Sequence, residues 1–177
     1  MGEIAALLVG SGVAGVLTAA AFGPRTCSVQ RSARINAAPE VIFPLINDLR
    51  AFNQWNPFVK KDPKITGSYE GPPQGPGAVH RFKGSSKSGE GSIAITGADR
   101  ASEVRMRLEM KKPMRAQNDI VFRLTPAGGA TEVTWAMQGK TPYIGRVLHL
   151  LFSFDRMVGR DFEAGLAGLK LLGEQAS

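Results

Sequence analysis

One cysteine, two histidines and two tyrosines are all that 177 residues contain of those types. A lone thiol, Cys27, has no partner for an internal disulfide and belongs to no Cys/His pattern with metal-ligand spacing, so neither a disulfide framework nor a bound metal is expected. Aromatic residues make up 7% of the chain and are not interleaved with basic ones, so the usual surface for nucleic acid is missing. The net charge of +7 is spread from Arg25 to Lys170 instead of gathering in one block, which favours solubility and mild attraction to anionic surfaces. The groups for nucleophilic catalysis are scarce too. No Ser-His-Asp or Cys-His arrangement can be assembled, and no cofactor is expected. At this length one domain with an appendage is the natural organisation.

The appendage comes first. From Ile4 to Phe22 no residue is charged, and nineteen positions at helical rise are about enough to cross the ~30 Å hydrocarbon layer. Residues 1–24 therefore read as a membrane anchor, with a cleaved signal peptide ending at Ala19-Ala20-Ala21 as the alternative. Arg25, Arg31 and Arg34 lie on one side of it and only the amino terminus on the other, an asymmetry that keeps the domain of residues 25–177 in the cytosol. Gly10-Ser11-Gly12-Val13-Ala14-Gly15 matches a dinucleotide fingerprint, but no acidic residue follows until Glu40 and the later strands do not alternate with helices. Nucleotide binding is rejected on those grounds.

After the appendage comes a compact block. Ser28 to Asn36 alternates small or apolar with polar residues, as a half-buried strand does, with Arg31 as an interruption. Ala38-Pro39-Glu40 then opens a helix, since proline suits the first helical position and a carboxylate suits the positive end of the dipole. Val41, Ile42, Leu45, Ile46 and Leu49 supply its buried stripe, and a second short helix around Leu49 to Trp55 is stopped by Asn56-Pro57.

From Lys64 to Gly139 short alternating runs are separated by Gly, Pro and Ser clusters, the pattern of an antiparallel sheet. The clearest run is 103–110, where Val104, Met106, Leu108 and Met110 share one face and Glu103, Arg105, Arg107 and Glu109 the other. Gly84-Ser85-Ser86-Lys87-Ser88-Gly89 has the chemistry of a phosphate loop, but a strand follows it instead of a helix, so it reads as a hairpin loop. Lys111, Lys112 and Arg115 make a basic turn around Pro113. Thr141-Pro142 starts the last helix. It is apolar on nearly every side up to Phe154, a stretch that could gate a cavity, and amphipathic afterwards along Val158, Phe162, Leu166, Leu169 and Leu172. Gly159, Gly165 and Gly168 each cost a helix about 1 kcal/mol against alanine, so close packing or room for a ligand is expected there.

The block resembles the opening of the START-like polyketide cyclase and lipid-transport superfamily. Ile35, Ala37, Pro39, Glu40, Ile42, Phe43, Asp48, Trp55 and Pro57 carry the likeness, and Gly77, Gly89, Gly91, Pro113 and Thr131 to Trp135 continue it in order. The resemblance implies an α+β helix-grip fold: a curved antiparallel sheet wrapped around a long C-terminal helix, with an apolar cavity between. It implies a hydrophobic ligand such as a lipid, isoprenoid or polyketide-like molecule, and no particular reaction. The residues expected around that ligand are Trp55, Phe58, Tyr69, His80, Phe82, Met106, Met110, Phe122, Trp135, Met137, Leu151, Phe154, Val158 and Phe162. Spacing alone fits a filled core equally well. For chemistry, His80 is the one weak catalytic candidate, with His149, Tyr69 and Asn118 behind it, and the sequence shows a partner for none of them. A cyclase or aromatase, and an interaction module with a filled interior, are the alternatives.

Overall fold

The computed structural model describes residues 26–86, 88–140 and 154–177. Leu151, His149 and the side chain of Phe154 lie outside the described residues, as do the apolar segment at 4–22, the fingerprint-like stretch at 10–15 and the apolar first half of the last helix. Among the described residues no helix is long and apolar enough to cross a membrane.

The first strand, β1 (Thr26–Ile35), starts two residues before the sequence pattern and runs straight through Arg31. It pairs along its whole length with the last strand, β7 (Ala130–Lys140), from Thr26 opposite Lys140 to Ile35 opposite Thr131. Between them come β2 (Thr66–Glu70), β3 (Val79–Lys83), β4 (Glu90–Asp99), β5 (Glu103–Lys112) and β6 (Ala116–Ala127). All pairs are antiparallel, and the spatial order is β1-β7-β6-β5-β4-β3-β2. Hairpin connections account for that order, because each strand from β2 to β7 neighbours the next. Register shifts in the β4–β5 ladder, at Glu90/Gly91 and Ile95/Gly97, bend the sheet there.

Three short helices cross from β1 to β2: α1 (Pro39–Asn47), α2 (Leu49–Trp55) and α3 (Pro57–Lys60). Single side chains set the corners between them. Asp48 ends α1 and caps α2, its Oδ1 accepting from the backbone N–H groups of Arg50 (2.7 Å) and Ala51 (3.4 Å). Asn56 repeats this one step later, accepting from Phe58 N–H at 3.1 Å. Asn56-Pro57 therefore ends α2 but does not end helical structure, because proline at the first position of a new turn needs no donor.

The last helix, α4 (Phe154–Gln175), lies on the concave face. Val158, Phe162, Leu166 and Leu169 are buried and Leu172 partly so, as the three- and four-residue steps require. The helical glycines answer to close packing. A Cβ on Gly165 would lie 2.7 Å from the Trp135 ring and 3.0 Å from Pro57, so only glycine lets the helix sit this near the sheet. Gly168 packs on Trp55, where a Cβ would lie 3.3 Å from the Trp55 Cβ, and Gly159 faces the flexible end of the Arg31 side chain. Arg31 explains its place inside β1: its guanidinium donates to Asp155 (3.0 Å) and Glu163 (2.8 Å) of α4 and ties strand to helix. Lys61 pairs with Asp161 on the same helix. Architecture and topology are those of the helix-grip fold.

Candidate functional site

Five aromatic rings fill the space under the middle of α4. Phe162 stacks on Trp135 at 3.9 Å, and Trp55 meets Phe52, Phe122 and Trp135 edge-on at 4.7, 5.8 and 5.7 Å. Trp55 Nε1 donates to the Leu45 carbonyl at 2.8 Å. This part of the interior is solid, and Met106, 1% exposed, belongs to it.

Toward the β3–β5 side the packing opens into a cavity of about 300 Å³. Its walls come from α2 and α3 (Phe52, Phe58, Val59), the sheet (Phe82, Ile93, Leu108, Met110, Ile120, Met137) and the start of α4 (Val158). Among the described residues, only His80, Asn118, Asn56, Ser86 and Ser88 add polar side chains to an otherwise apolar lining. That proportion and size suit a small hydrophobic molecule held by a few orienting groups. Larger hollows of about 620 and 610 Å³ lie over strand ends, lined by groups such as Arg115, Asp119, Gln138 and Glu90, and have no comparable apolar wall.

Of the residues that the sequence nominated, Phe58, His80, Phe82, Met110, Met137 and Val158 line this cavity. Trp55, Met106, Phe122, Trp135 and Phe162 lie in the filled core and are not among its lining. Tyr69 stands behind His80, ring to ring at 4.6 Å, and is 37% exposed. Phe52, Val59, Ile65, Ile93 and Ile120 line the cavity without having been singled out. Alternation puts Ile93 and Ile120 on the inner face but does not say how deep the space beneath them is.

His80 acquires the partners that the sequence did not reveal. Asn53 Nδ2 lies 3.0 Å from His80 Nδ1 and 2.9 Å from the Tyr69 hydroxyl, and Asn56 Nδ2 donates to Asn53 Oδ1 at 3.2 Å. The three-residue spacing of Asn53 and Asn56 at the end of α2 was the available signal. Arg50 sits over the Tyr69 ring, 4.1 Å from its centre. Burial, followed by the nearby Arg50 charge, pushes the His80 pKa below its ordinary value, so the imidazole is neutral at pH 7. Among the described residues no group of three His, Cys, Asp or Glu side chains could hold a metal ion.

The serine-rich loop between β3 and β4 is a hairpin connection whose Ser86 and Ser88 reach the cavity. It is fastened by Asp62, 2% exposed, whose Oδ2 accepts from Ser85 N–H (2.7 Å) and Ser85 Oγ (2.9 Å) while Oδ1 accepts from Lys64 N–H (3.2 Å). Burial opposes ionisation of Asp62, but these hydrogen bonds outweigh it and hold the pKa below the usual carboxylate value. A carboxylate with a lowered folded pKa contributes stability above its unfolded pKa of about 4 and loses it as pH falls through the folded value. Asp62→Asn should therefore lower the denaturation midpoint at pH 7 and shrink its fall between pH 5 and 3. An unchanged midpoint at pH 7 would remove Asp62 as the fastening.

The comparisons agree with this fold. The family model for polyketide cyclase / dehydrase and lipid transport matches residues 26–174. A protein from Mesorhizobium loti has 14% identity and a TM-score of 0.60, with 85% of this chain and 99% of that one covered. The Aha1 dimer from Colwellia psychrerythraea has 16% identity and a TM-score of 0.59, over 84% and 96% of the two chains. A protein from Chromobacterium violaceum follows at 14% and 0.58, over 86% and 99%. At these identities the solved structures share the fold and nothing finer. A comparison with curated proteins finds no match. With the family model covering residues 26–174 of 177, the chain belongs to the polyketide cyclase/dehydrase and lipid-transport family.

Proposed function

We propose that this protein binds a hydrophobic small molecule, a lipid, isoprenoid or polyketide-like compound, in the cavity beside α4, and that residues 1–24 tether the domain, residues 25–177, to the cytosolic face of a membrane. The observation that carries the reading is the lining: a hollow of about 300 Å³ walled by Phe, Ile, Leu, Met and Val side chains with a handful of polar groups. Affinity comes from desolvation at about 25 cal/mol per Å² of apolar surface removed from water. The family's description includes lipid transport, which fits such a site. The tether rests on the uncharged run from Ile4 to Phe22 and on the arginines that follow it.

The test is organic extraction of the full chain, purified from membranes in a detergent-free polymer disc, followed by mass spectrometry. A compound recovered with the wild type and depleted in a cavity-filled variant supports the reading. Extracts that match in the two proteins, together with no affinity for a panel of lipids and aromatic hydrocarbons, overturn it. Alkaline carbonate washing tests the tether separately: the full chain should stay in the pellet and a chain lacking residues 1–24 should not.

A further inference from the structure

His80 is 7% exposed and lines the cavity, and the hydrogen bonds behind it determine where its proton sits. The backbone N–H of Phe58 can only donate, so the Asn56 atom that it meets at 3.1 Å is the amide oxygen. The other end of Asn56 is then its NH2, which donates to Asn53 at 3.2 Å and makes the receiving atom the Asn53 oxygen. What remains of Asn53 is its NH2, which meets the Tyr69 hydroxyl at 2.9 Å and His80 Nδ1 at 3.0 Å. A ring nitrogen that accepts an N–H carries no proton. In the neutral ring the proton is therefore on Nε2, and it is a donor.

That donor has no acceptor among the described residues. Neither is it sealed in the core, because the fully buried side-chain atoms without partners are Asn47 Oδ1 and Trp135 Nε1. Gly67 on β2 lets the ring take this place, since a Cβ there would lie 2.4 Å from Nε2. A donor that meets no acceptor in a largely apolar cavity costs free energy, and an occupant with an oxygen placed there removes that cost. Resting on the cavity-binding function proposed above, we infer that the ligand carries a carbonyl-type oxygen acceptor and that His80 Nε2–H, held in one tautomer by Asn53 and Asn56, receives it.

A matched pair of probes tests this: 2-acetylnaphthalene and 2-ethylnaphthalene, which differ by a carbonyl in place of a methylene. Binding is measured by equilibrium dialysis with the full chain in lipid discs, with empty discs subtracted. His80→Phe should weaken the ketone roughly fivefold and leave the hydrocarbon within about twofold, as loss of one neutral hydrogen bond requires. His80→Gln, which keeps an N–H, should recover part of the ketone's affinity. The 15N spectrum of the wild type gives an independent reading, because the chain has only two histidines and a His149→Gln variant assigns them. His80 should show a protonated Nε2 and a bare Nδ1 as a single unaveraged form.

If the hydrocarbon binds and His80→Phe changes both probes alike or neither, the acceptor inference fails while cavity binding stands. A protonated Nδ1 in the spectrum overturns it too, even if His80→Phe does not fold. Failure of both probes to bind the wild type overturns the cavity reading and this inference together.

Discussion

Replacing Trp55 by alanine should destabilise the domain by about 4 kcal/mol, the largest loss expected of any single change here. Trp55 is fully buried and touches Phe52, Phe122 and Trp135, so its removal empties a space that three rigid rings and two backbone elements cannot collapse into. The indole also holds the Leu45 carbonyl, which the alanine variant leaves unpaired. Against a total stability of about 5–15 kcal/mol for a domain, such a loss leaves a marginal fold. Urea denaturation followed by circular dichroism measures it. Trp55→Phe, which keeps a ring but not the donor, should cost clearly less. A change below about 1.5 kcal/mol for Trp55→Ala would mean that this aromatic cluster is not the main support of the fold.

Leu108→Trp should do the opposite, reducing affinity for an apolar ligand at least tenfold while shifting stability by less than about 1 kcal/mol. Leu108 is half-buried on β5, opposite Asn118 of β6 and Ile93 of β4, and all three line the cavity. In a filled core the larger ring would cost about 1–3 kcal/mol in strain, but here it enters space that is already vacant. Dialysis with 2-ethylnaphthalene and a urea titration on the same preparation read both quantities. Undiminished binding with the indole in place would put the ligand somewhere else.

The contrast between Trp55 and Leu108 marks what could be read from the chain. Strand periodicity assigned Val104, Met106, Leu108 and Met110 to one face, and that face does point inward. Period two gives a direction, not a depth. Met106 and Leu108 are two residues apart on that face, yet one is in solid core and the other borders the void. The same limit left Phe122 and Trp135 in the core when a ligand contact was expected of them, and the helical stripe did the same for Phe162. His80 was legible as an inward-facing residue through its parity with Phe82, whereas its partner Asn53 is 27 positions away and met only through the fold. The end of helix α2 was legible because its stop signal, Asn56-Pro57, is local.

The helix α4 performs two tasks at different positions. Around Gly165, Gly168 and Gly173 it packs closely on the Trp135 ring, Trp55 and Ile35, while one turn or more earlier Val158 borders empty space. Adhesion and recognition are thus written in separate stretches of one rod. Evolution, or an engineer, can resculpt the chamber at the near end without loosening the seam that keeps the molecule assembled.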